Sequence, residues 1–175
     1  MGLFDRFNQS KEKNSFDSFP GMENYQLFLF VNGFNAKEQM DKYHEIYNDE
    51  TAFSTEIYNR ANTSWMCIVF TLKTDAIDIS PIWEYLNTLL WMSEGSTPAF
   101  AYAYPKQEGD LPIIAYRDEG SKFGDSCVGI ANGRYFQASI PDQEVVWGQS
   151  VPEQFDYEGF LSQSYGIDLK ATFRR

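Results

Sequence analysis

Histidine and cysteine are scarce in this chain, and cations are outnumbered. His44, Cys67 and Cys127 are the only residues of their types among 175. That set cannot make a standard structural zinc site, which needs a full tetrahedral shell of Cys and His ligands. The two thiols are distant in sequence and each lies in or beside an apolar segment. They read as buried core thiols rather than as a disulfide. Lys and Arg total 14 against 25 Asp and Glu, for a formal net charge of -11. So few cations exclude a protein that holds nucleic acid by neutralising its phosphates. The longest apolar run, Trp65 to Phe70, is far short of the roughly 18 residues of a spanning helix. The segment from Met1 lacks a basic stretch followed by an apolar one, so no signal peptide is read there, and a cytoplasmic setting is expected. Gly120, Gly124, Gly129 and Gly133 fit neither a phosphate loop nor a dinucleotide fingerprint, and no acidic spacing fits a calcium loop. No cofactor, metal, nucleic acid or membrane is therefore expected.

What the chain does have is apolar bulk. Hydrophobic residues make up 43% and aromatics 17%, enough for one sizeable core without staples. Residues 1–19 read as a flexible N-terminal segment because positions 8–18 are polar and aperiodic, and residues 20–175 as a single domain. Within that domain, Tyr25 to Val31 and Ser64 to Leu72 are compact apolar runs suited to buried strands. Phe100 to Tyr104 alternates with the two-residue period of a strand, and Pro112 to Arg117 is a further candidate. Asn132-Gly133 between Cys127–Ala131 and Arg134–Ile140 marks a hairpin, since both turn residues tolerate positive φ. A short strand is expected around Val145 to Trp147. Three helices are expected: Ala36 to Asp49 after the cap Asn35, a second opened by Ser80-Pro81 and closed by Gly95, and a third opened by Pro152 and Glu153 and ended near Gly166. The fold class expected is α+β: a mixed, mainly antiparallel sheet with about three helices packed on it.

The candidate site is a charged face. At 100° per residue Glu38, Asp41, Glu45 and Asp49 share one stripe of the first helix, opposite Ala36, Met40, Tyr43 and Tyr47. On the second helix Trp91 lies opposite the apolar stripe Ile82, Leu86, Leu89 and Leu90. Tryptophan is over-represented among residues that dominate interfaces. These five residues, Glu38, Asp41, Glu45, Asp49 and Trp91, are read as partner-binding. The expected activity is non-enzymatic: an acidic binding protein for a basic partner protein, with an immunity-type inhibitor that occludes a basic toxin as its concrete form. No catalytic residue is assigned.

Two alternatives belong to other classes. The first is a small-ligand protein or hydrolase, with several of Tyr102, Tyr104, Tyr116, Tyr135 and Trp147 lining a pocket whose polar cluster includes Ser126 or His44. Gly124-Asp125-Ser126 resembles the nucleophile block of trypsin-like proteases. However, Cys127 and Val128 stand where that family has two glycines, and Lys42-Tyr43-His44-Glu45 does not match its histidine motif. The Gly-Asp-Ser-Leu esterases place the block near the N-terminus with the histidine after it, and both features fail here. The second alternative is a subunit of a larger assembly, which would carry a broad exposed apolar patch.

Overall fold

A computed structural model describes residues 12–14, 19–32, 41, 53–59, 65–73, 99–117, 126–139 and 144–169. Nine strands join in one sheet in the order β1-β9-β8-β7-β6-β5-β2-β4-β3, and every pairing is antiparallel. The strands are β1 (Glu12–Asn14), β2 (Tyr25–Asn32), β3 (Phe53–Asn59), β4 (Trp65–Leu72) and β5 (Ala99–Pro105). They continue with β6 (Ile113–Arg117), β7 (Ser126–Ala131), β8 (Arg134–Ser139) and β9 (Glu144–Ser150). A 3-10 turn, Met22–Asn24, leads into β2, and one helix, α1 (Tyr157–Tyr165), follows β9. Strands β5 to β9 form an uninterrupted meander. β2 lies between β4 and β5, and β1 pairs with β9 at the far edge.

This corrects the expected fold class. The molecule is mainly β rather than α+β, and its sheet is antiparallel throughout rather than mixed. Among the described residues α1 is the one complete α-helix, where three were expected. The segments expected to form the other two helices lie outside the described residues, except Asp41, which is helical and exposed. The apolar runs were legible as strands; β1 and β3, at the two sheet edges, carry no such run. Glu12-Lys13-Asn14 is strand because β9 holds it, with Glu12 opposite Trp147 and Asn14 opposite Val145. These three residues lie inside the segment 1–19 that the sequence reads as flexible. At the end of that segment Phe19 is buried, packing edge-on against Phe136 (5.2 Å between centroids) and close to Trp147 (5.5 Å).

Both faces of the sheet are apolar, which explains the continuous run Leu27 to Val31: an antiparallel strand alternates only when one of its faces is wet. The alternation of β2 sends Leu27, Leu29 and Val31 to one face and Phe28 and Phe30 to the other. On the first face a single register row crosses all nine strands: Ile57, Ile68, Leu29, Ala101, Ala115, Gly129, Phe136, Trp147 and Glu12. Side chains shrink to nothing at Gly129, and the Phe136 ring lies over the glycine. A Cβ there would overlap the Ile114 carbonyl oxygen and stand 2.9 Å from that ring.

The second face holds the aromatic centre. Phe30 stacks on Phe100 at 4.9 Å and 12°, and Trp65 meets Phe100 edge-on at 5.6 Å. α1 covers this face with Tyr157 and Leu161, and Ile167 and Leu169 continue the cover. The helix begins at Asp156, whose carboxylate accepts from the Gly159 N–H at 2.8 Å. It ends at Gly166 (φ 67°), whose N–H reaches the carbonyls of Leu161 and Ser162. Asn132 (φ 50°) and Gly133 (φ 66°) form the turn between β7 and β8, as their sequence predicts.

Candidate functional site

Of the five residues read as partner-binding, Asp41 is described and exposed. Glu38, Glu45, Asp49 and Trp91 lie outside the described residues, as do His44 and Gly124-Asp125. Tyr102, Tyr116 and Tyr135 share the α1 face, with Tyr104 beside Tyr102 at 6.5 Å, but Trp147 lies on the opposite face. Cys127 is buried on that opposite face, 2% exposed, so the sheet separates its thiol from the tyrosines.

The residues that do converge lie at one end of the sheet. The β5–β6 loop, the Asn132–Gly133 turn, the 151–156 connection and the 3-10 turn meet there because β2, β6 and β8 start at that end and β5, β7 and β9 finish there. Hydrogen bonds tie these loops together. The Lys106 N–H donates to the Asn24 carbonyl (2.9 Å), and Gln107 Nε2 donates to Asn24 Oδ1 (3.0 Å). The Tyr25 hydroxyl donates to the Leu111 carbonyl (3.2 Å), and the Val151 N–H to that of Gly133 (2.8 Å).

The charge at this end is one-sided. Glu23, Glu108, Asp110, Glu153, Asp156 and Glu158 are all exposed. Lys106 is the exposed cation among the described side chains, and its ammonium donates to the Glu23 carbonyl at 3.2 Å. Arg134 is half-buried, its guanidinium 5.7 Å from the Trp147 ring centre and its Nε donating to the Gly148 carbonyl (3.3 Å). Between the acids stand two of the three exposed large hydrophobic residues among those described, Tyr104 (51% exposed) and Leu111 (44%).

Three tyrosines report this environment from inside. Burial, then Asp110, then Tyr157 push Tyr25 up to about 12. Burial raises Tyr102 as well, with Glu158 next and then Tyr104 and Tyr157. Burial and then Tyr135 raise Tyr157. The sign for stability follows directly. Above about pH 10 the unfolded chain releases these phenol protons while the folded chain keeps them, so unfolding becomes easier. Stability contributed by Tyr25 is complete below pH 10 and is lost as pH rises through about 12. Urea midpoints should fall between pH 10 and pH 12, while tyrosinate absorbance of the folded protein lags behind that of the unfolded chain. Coincident titration of the two would contradict this.

Chemically, this end offers carboxylates, neutral phenols and aromatic faces. No group of three or more His, Cys, Asp or Glu able to hold a metal ion occurs among the described residues. Nor does any helix among them have the length and apolarity to cross a membrane. Compared with known proteins, the chain matches no family model, no curated sequence and no solved structure. Sequence reasoning missed this end because its acids come from three separate stretches, none with an internal period. The one available signal was the density of acids beside Tyr104 and Leu111 in Lys106-Gln107-Glu108-Gly109-Asp110.

Proposed function

We propose that this is a non-enzymatic binding protein that captures a cationic macromolecular partner, using the acidic loop end as its contact surface. The observation that carries the reading is the one-sided charge there: exposed carboxylates around Tyr104 and Leu111, with Lys106 as the exposed cation among the described side chains. A field of one sign raises encounter rates with oppositely charged partners and rejects like-charged ones. The exposed Tyr104 and Leu111 supply apolar area that charge alone lacks. Glu38, Asp41, Glu45, Asp49 and Trp91 are proposed as a further contact segment. An inhibitor that acts in the cytoplasm by occluding a basic toxin is the concrete form of this proposal, since covering a cationic catalytic surface requires these features and no chemistry.

Association with a lysine-rich polypeptide tests it. The association rate should fall about tenfold or more as ionic strength rises from about 0.01 to 0.15 M, because screening over about 8 Å removes the long-range steering. The triple variant E108Q/D110N/E158Q should associate several-fold more slowly than the parent at low salt. A rate that is flat with salt, or unchanged in the triple variant, contradicts the proposal.

A further inference from the structure

The sheet ends in two unlike edges. At one, β1 offers only Glu12-Lys13-Asn14, the short and charged form that discourages the addition of another strand. At the other, β3 is seven residues long and pairs with β4 throughout, without a shift of register. No described strand lies on its outer side, and Ser54, Glu56 and Ile57 are exposed. Ile57, 37% exposed, is the third exposed large hydrophobic residue among those described. It lies in mid-strand opposite Ile68, apart from Tyr104 and Leu111 at the loop end. The geometry points to β3 as a self-pairing edge. Two copies of this chain join β3 to β3 about a two-fold axis at Ile57 and make one continuous sheet from two nine-stranded halves. This goes beyond charge capture and does not depend on it.

The strand's own sequence selects the occupant and the register. A two-fold axis brings the same patch of both copies together and runs their strands antiparallel, as every pairing in this sheet already runs. With Ile57 opposite Ile57, Glu56 faces Tyr58 of the second copy and Thr55 faces Asn59. Directly opposite residues share a face. The two isoleucines therefore meet on the face where Ile68 and Leu29 continue the apolar row inward. On the other face each Glu56 meets a tyrosine. The chain already favours that pair, since the Tyr58 hydroxyl donates to the Glu56 carboxylate within one strand. An axis one residue earlier would set Glu56 against Glu56, which like charges oppose. An axis one residue later would set Ile57 against Asn59 and waste the apolar contact.

Electrostatics sets the conditions. Each copy carries a net charge of -11, so two copies repel one another and salt relieves the repulsion. Self-association should tighten as salt rises, whereas capture of a cation weakens.

Sedimentation equilibrium of the full chain tests the inference. An edge of this length is a small interface, so dimers should be half-formed at about 10–100 μM in 0.5 M salt and several-fold weaker in 0.02 M salt. Ile57→Lys and Ile57→Glu each place two like charges at the axis and remove the apolar contact. Each alone should weaken dimerisation about tenfold or more. Mixed one to one, the two variants should associate again as heterodimers, because opposite charges then face each other. Both should melt within about 4 °C of the parent at concentrations where it is monomeric, as fits an exposed position. In the parent, amide exchange within residues 54–58 should slow as concentration rises. A parent that stays monomeric to about 0.5 mM in high salt overturns the inference. So does a dimer that leaves exchange in β3 unchanged, or one that either variant alone forms as tightly as the parent. Failure of the folded variants to associate when mixed overturns the register through Ile57 and with it the inference.

Discussion

Replacing Gly129 by alanine is expected to destabilise the protein by about 3 kcal/mol, toward the upper end for overpacking a core. The glycine lies inside β7, with Ala115 of β6 opposite it on one side and Phe136 of β8 on the other. The added methyl would overlap the Ile114 carbonyl oxygen and press on the Phe136 ring. The ring can tilt a little, though Phe19 and Trp147 hold it on other sides. The carbonyl belongs to the neighbouring strand and cannot move far without opening the ladder. A melting temperature about 6–12 °C below the parent's is expected for a chain of this size. The urea midpoint should fall with little change in slope. Gly109→Ala is the comparison: its φ of 95° is strained for alanine, but a Cβ there meets nothing within 4 Å. Its cost should stay near 1 kcal/mol. Equal melting temperatures for the Gly129→Ala variant and the parent would show that β6 and β7 do not approach as described.

Truncating Phe100 to alanine is the second large effect, at about 3–5 kcal/mol. Phe100 is fully buried, stacked on Phe30 and capped edge-on by Trp65. These three residues belong to β5, β2 and β4, so the cluster fastens the meander to the part of the sheet nearer β3. Removing the ring leaves a hole at the junction rather than at an edge, where collapse could fill it. Because Phe30 and Phe100 touch, their costs should not add. A cycle using Phe30→Leu and Phe100→Leu should show a coupling of about 0.5–1.5 kcal/mol, as aromatic pairs do. Chemical denaturation gives both numbers. A cost below about 1 kcal/mol for Phe100→Ala would mean that the cluster is not the joint proposed here.

Particular strands show what the sequence made legible. β2, β4 and the β7–β8 hairpin were visible because apolar runs and Asn132-Gly133 are local signals. β3 was missed because Ser54, Glu56 and Ile57 are exposed and Thr55 is buried, which leaves no apolar stripe. β1 was missed because its structure comes from β9, far along the chain. The placing of β2 between β4 and β5 follows from pairing, which no local period encodes. Two-sided burial of β2 suited a parallel strand equally well, hence the expectation of a mixed sheet.

The site was less legible than the fold. Alternation fixes which residues share a face within one strand but does not relate the faces of different strands. Trp147 was therefore grouped with Tyr102 and Tyr135, although its strand presents it to the other side. A bulge adds to the difficulty. Between the pairs Arg134↔Ser150 and Phe136↔Trp147, β8 advances two residues and β9 three, and this shifts the register. The acids of the loop end were present in the sequence as unremarkable loop and helix residues. Only the antiparallel order of the strands brings Glu108 and Asp110 to the same end as Tyr25.

The pairing of β1 with β9 also has a consequence for biosynthesis. Among the described strands β1 precedes the others in the chain and its partner β9 follows them, so Glu12 can pair with Trp147 only once β9 has been made. Until then a nascent chain carries the open edge of β8 or β9 and an unshielded Phe136, both invitations to off-pathway association. Closure across that separation carries an entropic cost that grows with the logarithm of the loop length, and such non-local pairing slows folding. Docking of Glu12–Asn14 on β9 is therefore expected to follow synthesis of the other described strands, with Phe19 brought against Phe136 and Trp147 in the folded state.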